Sequence, residues 1–173
     1  MNVLKKLFSR EEIDRAVKRL ATEIENDYDN EQIIFICLLK GSFMFTADLI
    51  RKIRNPLRVD FLRASSYGCG TNSKGEVTIG KDIEEGIESE NVIIVEDIID
   101  SGLTLTRVRN MLQEKNPKSL RICALLDKRA RRKVDIEGDY VGFTLEDGFV
   151  VGYGIDYAEE YRNLPDIFVI VGE

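Results

Sequence analysis

Glu96, Asp97 and Asp100 place three carboxylates within five residues, and Ser101, Gly102 and Thr104 follow them directly. Carboxylates this close repel one another unless a cation or a hydroxyl-bearing ligand sits among them. Hydroxyls, a permissive glycine and the free N–H groups of a helix start make a cup for a phosphate monoester, and that cup spans 101–104, Leu103 included. Carboxylates accept hydrogen bonds from ribose hydroxyls, directly or through Mg²⁺. Together the two features suit a phosphorylated sugar. Helix capping by Asp100 and Ser101 is the plainer alternative, but it leaves Glu96 and Asp97 at a strand end without a reason. The chain contains no histidine, so histidine triads and histidine-ligated zinc are excluded, and acid–base work falls to carboxylates, Lys, Tyr or Cys. Gly75, Gly80 and Lys81 match part of a P-loop spacing, but Asp82 stands where the metal-binding hydroxyl belongs and the intervening EVTI is strand-like.

The elements that must position these groups follow from periodicity. A chain of 173 residues predicts one domain. With 43% apolar and 32% charged residues, disorder is excluded. A net charge of −6 argues against a surface devoted to nucleic acid or anionic lipid. Cys37, Cys69 and Cys123 are odd in number and far apart, which fits a reduced compartment, the cytoplasm. MNVLKKLF does not resemble a signal peptide, and no run reaches the roughly 18 apolar residues of a membrane span.

Ser9 and Glu12 have capping-box spacing, and Ile13, Ala16, Val17, Leu20, Ala21 and Ile24 predict an amphipathic helix over 10–27. The acidic patch Glu25, Asp27, Asp29 and Glu31 reads as a solvated turn rather than a paired-carboxylate site. Residues 33–39, 57–64, 92–95 and 119–126 read as strands, the apolar runs among them buried and parallel. A helix is expected over 43–53 with Phe43, Ala47, Leu49, Ile50 and Ile53 inward, and another over 103–115 with Leu105, Val108, Met111 and Leu112 inward. Residues 65–82 have strand-like ends around a long loop, and a loop of that length is often functional. Residues 127–133 read as a basic turn, 134–157 as short strands VDI, DYVGFTL and FVVGYG, and 164–172 as a last strand. Alternating strands and helices predict an α/β fold with a mainly parallel sheet, and ligands of such sheets bind beyond the strands' carboxyl ends. Chemistry is therefore expected just after residues 39, 64, 95 and 126.

Residues 92–105 resemble the diphosphosugar-binding signature of the type I phosphoribosyltransferases. LKGS at 39–42, SSYG at 65–68, LLDK at 125–128 and DGFVVGYGIDYAEEYRNLP at 147–165 resemble its hypoxanthine-guanine branch. The resemblance implies one transferase domain over 1–173, with a core at about 30–150, a small hood from about 1–12 and 150–173, and a mobile loop. It implies transfer of a phosphoribosyl group from 5-phosphoribosyl 1-diphosphate to a purine nitrogen, with release of pyrophosphate, Mg²⁺ as cofactor, and self-association as dimer or tetramer. Glu96 and Asp97 then bind the ribose hydroxyls or Mg²⁺, Asp100 is the general base for the purine N7 proton, and 101–104 hold the 5′-phosphate. Lys40 and Gly41 form a pyrophosphate loop, which in the family often carries a cis peptide, and Arg162 clamps pyrophosphate. Lys128 donates to a 6-oxo group, Phe149 stacks on the base, Val150 offers a carbonyl to the 2-position, and Asp156 serves a second Mg²⁺. Ser66 and Tyr67 approach pyrophosphate when the loop closes. Two departures are Ser101, where the family has threonine, and Arg129, where it has proline. The alternatives are a xanthine-preferring enzyme, an RNA-binding regulator using Lys128, Arg129, Arg131, Arg132 and Lys133, and a Mg²⁺-dependent phosphatase using Asp97 or Asp100.

Overall fold

The computed structural model describes residues 3–66 and 77–171. Strand β1 (Val3–Phe8) leads into helix α1 (Arg10–Tyr28). Ser9 caps that helix, accepting from the Glu12 amide at 3.2 Å while the Glu12 carboxylate accepts from the Ser9 amide at 2.8 Å, so two otherwise orphaned donors are satisfied together. Strand β2 (Ile33–Leu39), helix α2 (Phe43–Ile50) and strand β3 (Leu57–Ser66) follow, then β4 (Val77–Lys81), β5 (Asn91–Ile99), α3 (Leu103–Gln113), β6 (Ser119–Lys128), β7 (Tyr140–Leu145), β8 (Phe149–Val151) and β9 (Ile167–Val171).

A six-stranded sheet has the order β4-β3-β2-β5-β6-β7, parallel except for the antiparallel edge pair β3–β4. Both of its faces are covered, as the continuous apolar runs predict. Ile33 and Phe35 of β2 face the core shared with α1 and α2, whereas Ile34, Ile36 and Leu38 face the core shared with α3. From β2 the chain winds outward through β3, and from β5 it winds the other way through β6 and β7. The crevice at the carboxyl ends of β2 and β5 is thus the topological switch point, where such sheets take ligands. A separate three-stranded antiparallel sheet, β1-β9-β8, joins the two ends of the chain, with Val3 opposite Val171 and Phe149 opposite Ile170. No helix among the described residues is long and apolar enough to cross a membrane.

Several expectations need correction. Helix α2 stops at Ile50, and it buries Phe45, Thr46 and Leu49 while Phe43 and Ala47 stay exposed. Strand β5 continues four residues past Val95, so Glu96 and Asp97 lie on the strand itself. Asp127 and Lys128 belong to β6 rather than to a basic turn, and both are buried. Residues 134–136 form no strand; Val134 and Ile136 instead cover Gly102. The acidic patch is divided among separate partners, Glu25 with Arg54, Asp27 with Arg121 and Tyr140, and Glu31 with Lys118 and Asn91. Strand β1 has no counterpart among the expected elements.

Candidate active site

The switch point brings the loop after β2 against the end of β5. Gly41 lies so close to Asp97 that an added Cβ would stand 1.7 Å from the carboxylate Oδ2. Only a residue without a side chain lets these two segments approach this far. The peptide between Leu39 and Lys40 is cis. Glu96 and Asp97 line the same cavity, and the Asp97 amide donates to the Glu96 carboxyl at 3.0 Å. Burial and the adjacent Asp97 carboxylate push the Glu96 carboxyl well above the usual carboxylate range.

After β5 the chain turns through Asp100, Ser101 and Gly102 into α3. Gly102 stands at the helix start with φ +80° and no side-chain cap. Its missing Cβ leaves room for Ile136 and Val134, whose methyls would be 2.6 and 2.9 Å from one. Asp100 does not cap the helix. Its Oδ2 lies 3.3 Å from Lys128 Nζ and 3.6 Å from Arg131 Nη1. Its Oδ1 is buried and has no hydrogen-bond partner among the described residues. Ser101 Oγ makes only a long contact, accepting from the Leu103 amide at 3.4 Å. A cavity of about 230 Å³ is lined by Glu96–Gly102, Thr104 and Leu105.

A second cavity of about 230 Å³ shares Asp97, Ile98 and Asp100 with the first and adds Lys128, Phe149, Val150, Ile155 and Asp156. Lys128 is buried, donating to the Gly148 carbonyl at 3.2 Å and facing Asp100. Phe149 is 47% exposed and meets Tyr157 edge-on at 5.2 Å, so it is a wall of the cavity and not a core residue. Val150 is buried in β8 behind it.

Across the crevice, Arg162 donates to the Gly154 carbonyl at 2.8 Å and pairs with Asp156 at 2.8 Å. Both carboxylate oxygens of Glu159 lie 3.0 Å from Lys40 Nζ, and one lies 3.5 Å from Arg162. The Lys40 ammonium holds the Glu159 carboxyl below its ordinary range. This bridge, spanning 119 positions, had no local signal in the sequence.

Of the expected site residues, the two cavities assemble Glu96, Asp97, Asp100, Ser101, Gly102, Thr104, Lys128, Phe149, Val150 and Asp156. Lys40, Gly41 and Arg162 border them. Leu103 opens α3 with an exposed side chain. Ser66 ends β3, and Tyr67 lies outside the described residues. Ile98 and Ile155 were not anticipated as lining. The basic cluster is not a free cationic face: Lys128 and Arg131 face Asp100, and Arg129 and Arg132 pair with Asp127. Among the described residues no three carboxylates or thiols form a closed metal cage. The donors present are hard oxygens in small numbers, the set that suits Mg²⁺ when the substrate's own oxygens complete its shell.

A family model described as "Phosphoribosyl transferase domain" matches residues 4–158. The chain is 51% identical over 172 residues to a hypoxanthine phosphoribosyltransferase of Buchnera aphidicola, covering 98% of this chain and 97% of that protein. It is similar to a crystal structure of a hypoxanthine-guanine phosphoribosyltransferase from Bacillus anthracis with HEPES in the active site, with TM-score 0.92, 53% identity, and coverage of 96% of this chain and 98% of that one. A structure from a study of the C-terminal region's role in the oligomeric state and activity of the Trypanosoma cruzi hypoxanthine phosphoribosyl transferase matches with TM-score 0.91 and 42% identity, covering 96% and 91%.

Proposed function

The chain belongs to the phosphoribosyltransferase family, and on that premise we propose how its two joined cavities divide one substrate pair. The reaction is transfer of the 5-phosphoribosyl group from 5-phosphoribosyl 1-diphosphate to N9 of hypoxanthine or guanine, giving IMP or GMP and pyrophosphate, a step of purine salvage. Residues 101–104 hold the 5′-phosphate on the amides of the α3 start. Glu96 and Asp97 orient the ribose hydroxyls, and the charge that the pair retains favours the positive charge that develops on the sugar. Lys128 donates to the Gly148 carbonyl and pairs with Asp100 at 3.3 Å, and it directs a further donor to a 6-oxo group. Phe149 stacks on the base, and the Val150 carbonyl faces its 2-position. Lys40, Gly41 and Arg162 hold pyrophosphate, and Ser66 and Tyr67 complete that contact when their loop closes. Asp100 takes the N7 proton. The observation that carries this reading is the buried Asp100 Oδ1, without a hydrogen-bond partner among the described residues, on a residue lining both cavities, because a shielded acceptor calls for a donor from the ligand.

The family uses Mg²⁺, which when bound neutralises the leaving pyrophosphate. In this chain Glu96 and Asp97, and Asp156 for a second ion, are the residues that would hold it. We take 1–173 as one domain with its core at about 30–150 and the hood at 1–12 and 150–173. Self-association as a homodimer or homotetramer and a cytoplasmic location complete the proposal, the latter supported by the free, buried Cys37 and Cys123.

The test is product formation by purified protein with Mg²⁺ and the sugar diphosphate, offered hypoxanthine, guanine, xanthine, adenine or uracil. Turnover confined to the first two supports the reading; turnover of adenine or uracil alone overturns the base assignment. Lys128→Gln should lower the ratio of kcat/KM for hypoxanthine over adenine by at least about tenfold, because an amide also accepts from a 6-amino group. An unchanged ratio removes Lys128 from base selection. Glu159 is the carboxylate that an incoming pyrophosphate must displace from Lys40 and Arg162. Glu159→Gln should therefore tighten pyrophosphate binding about two- to five-fold, the scale of an exposed ion pair. Titration of pyrophosphate in the reverse reaction reads this out, and weaker binding would show that Glu159 assists rather than competes.

A further inference from the structure

Arg132 lies outside both cavities, yet its guanidinium spans the turn that carries Asp100. Nε donates to the Asp100 carbonyl at 3.1 Å and Nη2 to the Ile99 carbonyl at 3.4 Å. Nη1 donates to the Ile136 carbonyl, and Nη2 also pairs with Asp127 Oδ1. Asp127 is 1% exposed and sits opposite Ile99 in the β5–β6 ladder. Arg129 donates to its other oxygen at 3.1 Å. The aliphatic stem of Arg132 runs past Gly102, where an added Cβ would be 3.1 Å from Cδ. One residue on, the Lys133 amide donates to the Ser101 carbonyl at 2.9 Å. The carbonyls of three successive residues, Ile99, Asp100 and Ser101, are thus all held by Arg132 and its neighbour.

We infer that Arg132 is a positioning residue: it fixes the backbone of the Ile99–Ser101 turn so that the Asp100 carboxylate stays at the boundary of the two cavities. This rests on the reading of Asp100 as proton acceptor. A planar fork with five donors can serve three carbonyls and a carboxylate together, which an ammonium on a flexible stem cannot. Small displacements of a reacting group away from its working geometry lower rate steeply.

Arg132→Lys keeps a cation beside the buried Asp127 and gives up the array of carbonyl contacts. It should lower kcat by about tenfold to 100-fold, the range that misplacement by about an ångström produces, with the KM for the base changed little. The discriminating measurement is the same substitution in an Asp100→Asn background. If Arg132 acts through Asp100, Arg132→Lys adds no further loss there; a general weakening of the fold would multiply kcat by the same factor in both backgrounds. Equal factors, or a wild-type kcat for Arg132→Lys alone, overturn the inference and leave the role of Asp100 standing. An undiminished kcat for Asp100→Asn alone overturns that role, and the inference with it. Should Arg132→Lys fail to fold, the pair Arg132→Gln with Asp127→Asn, which removes both buried charges at once, repeats the test in the same two backgrounds.

Discussion

Replacing Asp100 with asparagine is expected to lower kcat by about 10²–10⁴-fold, the span of general acid–base contributions, while binding of the sugar diphosphate changes only a few-fold. Asparagine has nearly the same shape, so the turn from β5 into α3 can keep its path. The charge is lost, and with it the ability to take a proton. Lys128, 3.3 Å away, loses its anionic neighbour but keeps the Gly148 carbonyl, so base binding should shift less than turnover does. Pre-steady-state and steady-state rates with hypoxanthine separate the two effects. Undiminished chemistry in Asp100→Asn would show that the N7 proton leaves by another route.

The second large effect is expected from a single methyl group. In Gly41→Ala the new Cβ would stand 1.7 Å from Asp97 Oδ2 and 2.7 Å from Cγ. The clash is with the end of a side chain and not with backbone, so the fold has a way to relieve it by turning Asp97. The relief moves the carboxylate proposed to orient the ribose, beside the loop proposed to hold pyrophosphate. Stability should fall by no more than the about 0.5–3 kcal/mol usual for a point substitution. The value of kcat/KM for the sugar diphosphate should fall by about 100-fold or more, as expected for a displaced reacting geometry. Gly86→Ala is the control, since nothing among the described residues lies within 4 Å of its added Cβ; it should match the parent chain. A fully active Gly41→Ala would mean that Asp97 need not stay where it is.

Much of the scaffold was legible because its signal is local. The run IIFICLL is strand β2 from end to end, and the Ser9–Glu12 box starts α1 where the spacing puts it. What escaped depends on distant partners. VLKKLF lacks the buried alternation of a strand and becomes one by pairing with β9, more than 150 residues later. Asp127 and Lys128 look like a solvated turn in sequence. They are buried because Arg132 and Arg129 neutralise the first and Asp100 faces the second. The acidic and hydroxyl-bearing residues of 96–104 were recognisable as a site because their density is costly without a ligand. Arg132 and Glu159 carried no comparable mark, since their importance is defined by carbonyls and cations from other parts of the chain. Facing along α2 was misjudged because an eight-residue helix offers too few turns to fix a phase, and its inward side is Phe45, Thr46 and Leu49.

β9 is the middle strand of the smaller sheet, and it is the neighbour of both β1 and β8. A carboxy-terminal truncation through 167–171 would therefore not simply fray a tail; it would unzip the amino-terminal strand and loosen the backing of Phe149 in one event. Conversely, residues 3 and 171 face each other, so a short glycine linker could weld the old ends together and new ones could be cut in a distant turn. Such a circularly permuted chain would preserve every strand pairing described here, with Phe149 held from both sides.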